Sequence, residues 1–178
     1  LANLWRFREL GCRVTVVQPR DEHYYSGMGP GLLSRMYTPA QIRFPTRRIV
    51  ESQGATFMRD AAVAIDPRAQ TVRLQSGEKR GYDLLSCNVG STVPGGIVDP
   101  KARDVFPVKP IAELQTARDR IEALVAQKPC HLAVVGGGPA ALEIAADGRR
   151  LVRRAKGYPA RITLFAGKRF LARFPERL

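Results

Sequence analysis

His131-Leu-Ala-Val-Val-Gly-Gly-Gly-Pro-Ala-Ala141 carries the architecture of this 178-residue chain. The apolar run 131–135 reads as a buried strand, and a glycine turn follows it directly. An amphipathic stretch over 141–154 then reads as a helix, and the β-branched run 161–165 as the next strand. Strand, glycine turn, helix and strand make a βαβ unit. In that setting Gly136-x-Gly138-x-x-Ala141 has the spacing of a dinucleotide fingerprint. Gly136 permits the tight turn, Gly138 lets bare backbone approach a pyrophosphate, and the small Ala141 lets helix and strand pack closely. Gly137 and Ala140 complete the turn, and Pro139 suits the first helical position, where no N–H is needed. The pyrophosphate would rest on free N–H groups at the helix start.

Two side-chain groups near this turn have open readings. Glu143, in the first turn of the helix, is either a carboxylate that suits the helix dipole or a neighbour of the nicotinamide. The usual acidic ribose ligand would stand at the end of the second strand. There the chain has Ala166, then Gly167, Lys168 and Arg169. These cations suit a 2′-phosphate, or they are simply solvated.

Working outward toward the N-terminus, 111–127 reads as an amphipathic helix with Ile111, Leu114, Ile121, Leu124 and Val125 on one side. The proline-rich segment 92–110 reads as a connector. Between 55 and 88 the apolar period becomes two. Strands are expected at 56–59, 61–65, 71–74 and 82–87, with turns at Asp66-Pro67-Arg68 and Ser76-Gly77. Together they predict an antiparallel meander that ends in a more buried strand. Nearer the start, 4–10 has helical spacing and Gly11 stops it, and 13–17 reads as a strand. The glycine-rich segment 23–31 reads as an irregular loop with backbone close to something. Helical patches are expected at 32–37 and 42–53.

Composition limits the function classes. Hydrophobic residues make up 44% of the chain, which is enough for a core. No apolar run approaches the roughly 20 residues needed to span a bilayer. The net charge of +13 raises nucleic acid or an anionic surface as a partner. The densest cluster is Arg149, Arg150, Arg153, Arg154 and Lys156. It lacks interleaved aromatics for base stacking, and it reads as the solvated C-terminal end of a helix. Cys12, Cys87 and Cys130 are far apart, so zinc and local redox pairs are disfavoured. Cys87 and Cys130 are expected as buried thiols in a reducing compartment. His23 and His131 lack a partner carboxylate in any catalytic pattern, and no side chain is assigned as acid, base or nucleophile.

Four segments together resemble a family: Tyr25-Ser-Gly-Met-Gly-Pro-Gly31, Tyr82-Asp-Leu-Leu-Ser-Cys-Asn-Val-Gly-Ser91, Val108-Lys-Pro110 and Val134-Val-Gly-Gly-Gly-Pro-Ala-Ala141. They resemble the FAD-dependent pyridine nucleotide–disulfide oxidoreductase superfamily. Within it they are most similar to type II NADH dehydrogenase-like proteins, in the subgroup often fused to selenophosphate synthase. The resemblance implies an α/β Rossmann-like FAD/NAD(P)-binding fold, a parallel sheet with an antiparallel meander and a second Rossmann-like unit begun. Residues 1–110 would be part of the FAD domain, and 111–178 the start of the inserted NAD(P) domain.

The resemblance also implies roles. Ser26, Gly27 and Met28 would lie against the flavin, and Val63 would meet the adenine through its backbone. Gly90 and Ser91 match a second flavin-dinucleotide signature, and Lys109 matches the lysine of the domain connector. Gln18 stands where many relatives have a ribose-binding Glu, which removes the charge-assisted bond. The first glycine fingerprint, the late Gly-Asp signature and the interface domain lack counterparts here, so a chain truncated at both ends is expected. Cofactors would be FAD and NAD(P)H, with electrons passing to a quinone-like or other acceptor. Cytoplasmic location is expected, with peripheral contact at the inner face of the membrane as a variant. An exposed apolar sheet edge implies a homodimer or a fused or associated chain. The rival reading is a catalytically silent dinucleotide-binding or regulatory module. A specific nucleic-acid partner is not expected.

Overall fold

The computed structural model describes residues 2–93, 102–167 and 170–171. In chain order the helices are α1 Leu4–Glu9, α2 Gly29–Leu33, α3 Thr46–Ser52, α4 Glu113–Val125 and α5 Pro139–Ala155. The strands are β1 Thr15–Gln18, β2 His23–Tyr24, β3 Arg43–Phe44, β4 Thr56–Arg59, β5 Ala62–Asp66, β6 Thr71–Leu74, β7 Lys79–Gly81, β8 Cys130–Val135 and β9 Ala160–Phe165. A 3₁₀ turn covers Ser26–Met28. The chain divides into two compact units. One is Leu1–His23 with Arg43–Gly90, and the other is Tyr24–Ile42 with Ser91–Leu178.

In the first unit β1 and β4 pair in parallel, from Thr15 opposite Thr56 to Gln18 opposite Arg59. Helix α3 crosses between them. It buries Val50 and Thr46 completely, and Gly54 ends it in the left-handed region. The Gln53 side-chain carbonyl accepts from the Leu4 N–H at 2.9 Å, which ties the start of α1 to the end of α3. Strands β5, β6 and β7 form an antiparallel meander. Its first turn is set by Asp66, whose carboxylate accepts from the N–H groups of Arg68 and Ala69 at 3.0 Å.

The expected meander was longer than the one that forms. Residues 56–59 leave it to pair with β1, because a parallel partner is available there. Residues 82–87 form no strand: β7 ends at Gly81. Leu84 is 81% exposed and Val89 is 83% exposed. An apolar run becomes a strand only when a neighbour takes its backbone hydrogen bonds, and among the described residues only the Tyr82 N–H finds a backbone acceptor, Gln70 O at 2.9 Å. Cys87 is exposed for the same reason, so it is not the buried thiol expected, while Cys130 is half-buried.

The second unit is built on β8, α5 and β9. The two strands pair in parallel over six residues, from Cys130 opposite Ala160 to Val135 opposite Phe165. Its core joins Leu32, Leu33 and Ile42 to Leu114, Ile121 and Val125 of α4, and to Ile144 and Leu151 of α5. The helix expected over 111–127 forms at Glu113–Val125, with Leu114, Ile121 and Val125 buried on its inner face, Leu124 half-buried and Ile111 buried just ahead of it. Residues 32–37 are not a helix start. Helix α2 begins earlier and stops at Leu33, where Arg35 turns back with φ +58°. The expected helix at 42–53 is shortened to Thr46–Ser52 because Arg43 and Phe44 are extended ahead of Pro45.

Candidate dinucleotide site

The site begins where β8 ends. Val135, the last strand residue, is 76% exposed. It lies at the carboxyl end of a parallel pair, where open α/β sheets bind ligands. Gly136 follows with φ +149°, and its N–H donates to Phe165 O at 2.9 Å. A Cβ at Gly136 would stand 3.1 Å from the Ala141 Cβ. The first and last fingerprint positions are therefore in contact across the turn, and both must be small. Gly138 is the N-cap of α5 in extended conformation, with φ −96° and ψ 176°. A Cβ at Gly138 would meet nothing within 4 Å. Its bareness is not required by packing, and the open side is available to a ligand.

Pro139 occupies the first turn of α5, as expected. The Ala141 N–H turns back to Gly138 O at 3.1 Å. The N–H groups of Gly137 and Gly138 have no acceptor among the described residues. Bare backbone, free donors and the positive end of a 17-residue helix make a cradle for an anion. The residues present fit a dinucleotide pyrophosphate. Further along the helix, Gly148 faces β8, and a Cβ there would approach Leu132 Cδ2 to 2.8 Å. That contact seats α5 against the strand, and the glycine spacing of the turn gave no signal of it.

Sequence reasoning also missed Leu171. Its N–H donates to Gly137 O at 2.8 Å, which brings the chain after β9 back to the glycine turn. Glu143 is exposed on α5. Lys168 and Arg169 lie outside the described residues.

The residues singled out for a flavin are divided between the units. In the first unit, Gln18 ends β1, and its side-chain amide donates to Arg20 O at 2.5 Å. Val63 is exposed on β5, and Gly90 has φ +73° in an exposed turn. In the second unit, Ser26, Gly27 and Met28 form the 3₁₀ turn. The glycines beyond them serve packing. A Cβ at Gly29 would reach Ile111 Cδ1 at 2.7 Å, and one at Gly31 would reach the Tyr37 ring at 2.5 Å. Segment 23–31 therefore has a strand end, a 3₁₀ turn and a helix start where an irregular loop was expected. Lys109 donates to Ser91 Oγ at 2.7 Å, so two residues chosen 18 positions apart do meet.

The histidines have structural partners. His23 Nδ1 shares a 2.6 Å hydrogen bond with Thr46 Oγ1, and its ring stacks on Phe44 at 5.5 Å. Burial pushes the His23 pKa below its ordinary value. His131 Nε2 bonds Thr163 Oγ1 at 2.8 Å between β8 and β9. No group of three or more His, Cys, Asp or Glu that could hold a metal occurs among the described residues. No helix among them is long and apolar enough to cross a membrane.

Parallel pairing and a glycine turn feeding a helix define a Rossmann-like fold of the kind that serves FAD- and NAD-binding oxidoreductases. Solved structures with this fold include the ferredoxin reductase for the CYP199A2 system of Rhodopseudomonas palustris. It matches with TM-score 0.71 and 21% identity over 99% of this chain. NDH2 from Plasmodium falciparum in complex with NADH matches with TM-score 0.69 and 15% identity over 92%. The sulfide:quinone oxidoreductase of Aquifex aeolicus matches with TM-score 0.62 and 22% identity over 77%. The chain spans 42%, 39% and 32% of those three proteins, respectively. No family model and no curated protein matches the sequence.

Proposed function

We propose that this chain is part of an FAD-dependent NAD(P)H oxidoreductase of the type II NADH dehydrogenase-like kind. Residues 111–178 would begin its NAD(P)-binding domain, and residues 1–110 would belong to its flavin domain. The observation that carries the reading is the turn from β8 to α5. There Gly136 packs on Ala141, while Gly138 stays open beside free N–H groups. NAD(P)H held at the glycine turn and FAD held by the flavin-domain residues would supply the hydride and electron-transfer chemistry, with a quinone-like or other acceptor as the final partner. The chain's own part is to bind and orient. Gly137 and Gly138 donate to the pyrophosphate, and Ala140 and Ala141 leave room for it. Glu143, exposed on the same helix, would neighbour the nicotinamide, and Lys168 and Arg169 would take a 2′-phosphate. On the flavin side Gln18, Ser26–Met28, Val63, Gly90, Ser91 and Lys109 are the proposed contacts. Work in the cytoplasm, with peripheral contact at the inner membrane face and a dimeric or fused partner, belongs to the same proposal.

A second reading has its own observation. The Gln18 amide is spent on Arg20 O rather than held out for a ribose. That favours a silent module that binds a nicotinamide dinucleotide without flavin. Anaerobic addition of NADH to the chain reconstituted with FAD separates the two. Bleaching of the flavin absorbance supports the oxidoreductase. NADH binding by a chain that retains no flavin supports the silent module.

A further inference from the structure

We propose that Arg149, Arg150, Arg153 and Arg154 of α5 bind a compact oligophosphate, at a site separate from the glycine turn on the same helix. The four arginines line one open cavity of about 730 Å³ with Met36 and Ala146, and no carboxylate among the described residues lines it. Among the described residues no carboxylate lies within ion-pair distance of any of the four. Three other arginines of the same unit are paired, Arg35 with Glu122, Arg118 with Asp119 and Arg120 with Asp104, while Arg103 and Arg161 stand singly among the described residues.

Spacing makes the arrangement unfavourable without a ligand. Arg149 with Arg153, and Arg150 with Arg154, are like charges four residues apart on a helix, and these repel. The helix dipole favours cations in the last turn, which covers Arg153 and Arg154. It does not cover Arg149 and Arg150, one turn earlier. Two of the four side chains are already held. The Arg154 guanidinium donates to Ser34 O at 3.2 Å, and the Arg150 guanidinium contacts Met36 Sδ at 2.6 Å. Arg149 and Arg153 are exposed and carry no such anchor among the described residues. The cluster is thus partly fixed, with forked donors left over, which is the geometry that grips phosphate oxygens.

Size and lining choose the class of anion. Five residues of helix span about 7.5 Å, a reach suited to two or three linked phosphates. A nucleic-acid strand would need a longer basic track and aromatic platforms, and the described residues of the lining include no aromatic. Gly138 and Arg149 are eleven residues apart on α5, or about 16 Å, so one small anion does not reach both.

Calorimetric titration of the full chain with inorganic triphosphate at physiological salt tests this. Saturable binding near 1:1 is expected, with affinity falling at least tenfold in R149Q/R153Q while the NADH titration stays unchanged. R149K/R153K keeps the charge and loses the forks, and an intermediate loss is expected. It serves as the test variant if the glutamine variant melts lower than the parent. Four results would overturn the proposal. They are no saturable binding, equal binding by the variants, displacement of triphosphate by NADH, and binding of polyglutamate as tight as that of triphosphate.

Discussion

Replacing Gly136 and Gly138 by alanine should have opposite effects on stability, although the two lie two residues apart in one glycine run. At Gly136 the backbone has φ +149°, a region that side chains rarely adopt. Strain of this kind costs about 1–3 kcal/mol. The new methyl would also stand 3.1 Å from the Ala141 Cβ, so α5 must give by a few tenths of an ångström. Taking about 2 kcal/mol in total, and about 2–4 °C per kcal/mol for a chain of this length, Gly136→Ala should lower the melting temperature by about 4–8 °C. At Gly138 the conformation is extended and nothing lies within 4 Å of a new methyl. Alanine there restricts the unfolded chain and should be neutral or stabilising by up to about 1 kcal/mol. Thermal melts followed by circular dichroism, with urea titrations alongside, read both variants. If Gly136→Ala melts with the parent, or Gly138→Ala melts several degrees below it, the description of the turn is wrong.

Three further outcomes are expected. His23 has a folded-state pKa below its ordinary value because its ring is partly desolvated where it packs half-buried against Phe44 and Thr46. The unfolded chain then binds a proton first as pH falls, so stability is lost from about pH 6.5 downward. His23→Gln should flatten that part of a melting-temperature profile against pH, and an unchanged slope would refute the assignment. Leu151 is fully buried in the core of the second unit. Leu151→Ala should cost about 2–5 kcal/mol by urea denaturation, and a cost below about 1 kcal/mol would mean that α5 is not packed there. Lys168→Ala with Arg169→Ala should reduce the ratio of NADPH to NADH affinity in paired fluorescence titrations. An unchanged ratio would remove the 2′-phosphate reading.

The β8–α5–β9 unit was the most legible part of the sequence because each of its signals is local. The apolar run at 131–135, the glycines, Pro139 and the β-branched run at 161–165 stand in order, and only the element ends moved, by one or two residues. The meander turns were legible for the same reason, since Asp66 makes its own turn. Residues 82–87 misled, because their apolar pattern needs a neighbouring strand that pattern alone cannot supply. The glycines at 29 and 31 misled differently. Their bareness serves Ile111 and Tyr37, and only three-dimensional packing distinguishes that from room for a ligand. Ser91 and Lys109 were chosen by resemblance, and they meet in the structure. The return of Leu171 to Gly137 had no sequence signal, because backbone bonds across 34 residues leave none. The Gly148 contact with Leu132 was equally invisible.

The central claim is that the turn at Gly136–Ala141 holds the pyrophosphate of a nicotinamide dinucleotide. Fluorescence titration of the full chain with NADH, beside Gly138→Val, tests it most directly. A Cβ at Gly138 meets nothing within 4 Å, and the methyls of valine would fill the side on which the ligand would lie. Saturable NADH binding by the parent is expected, with its loss in a variant whose melting temperature matches the parent's. A folded parent that does not bind NADH, or a Gly138→Val variant that binds it equally well, would contradict the account.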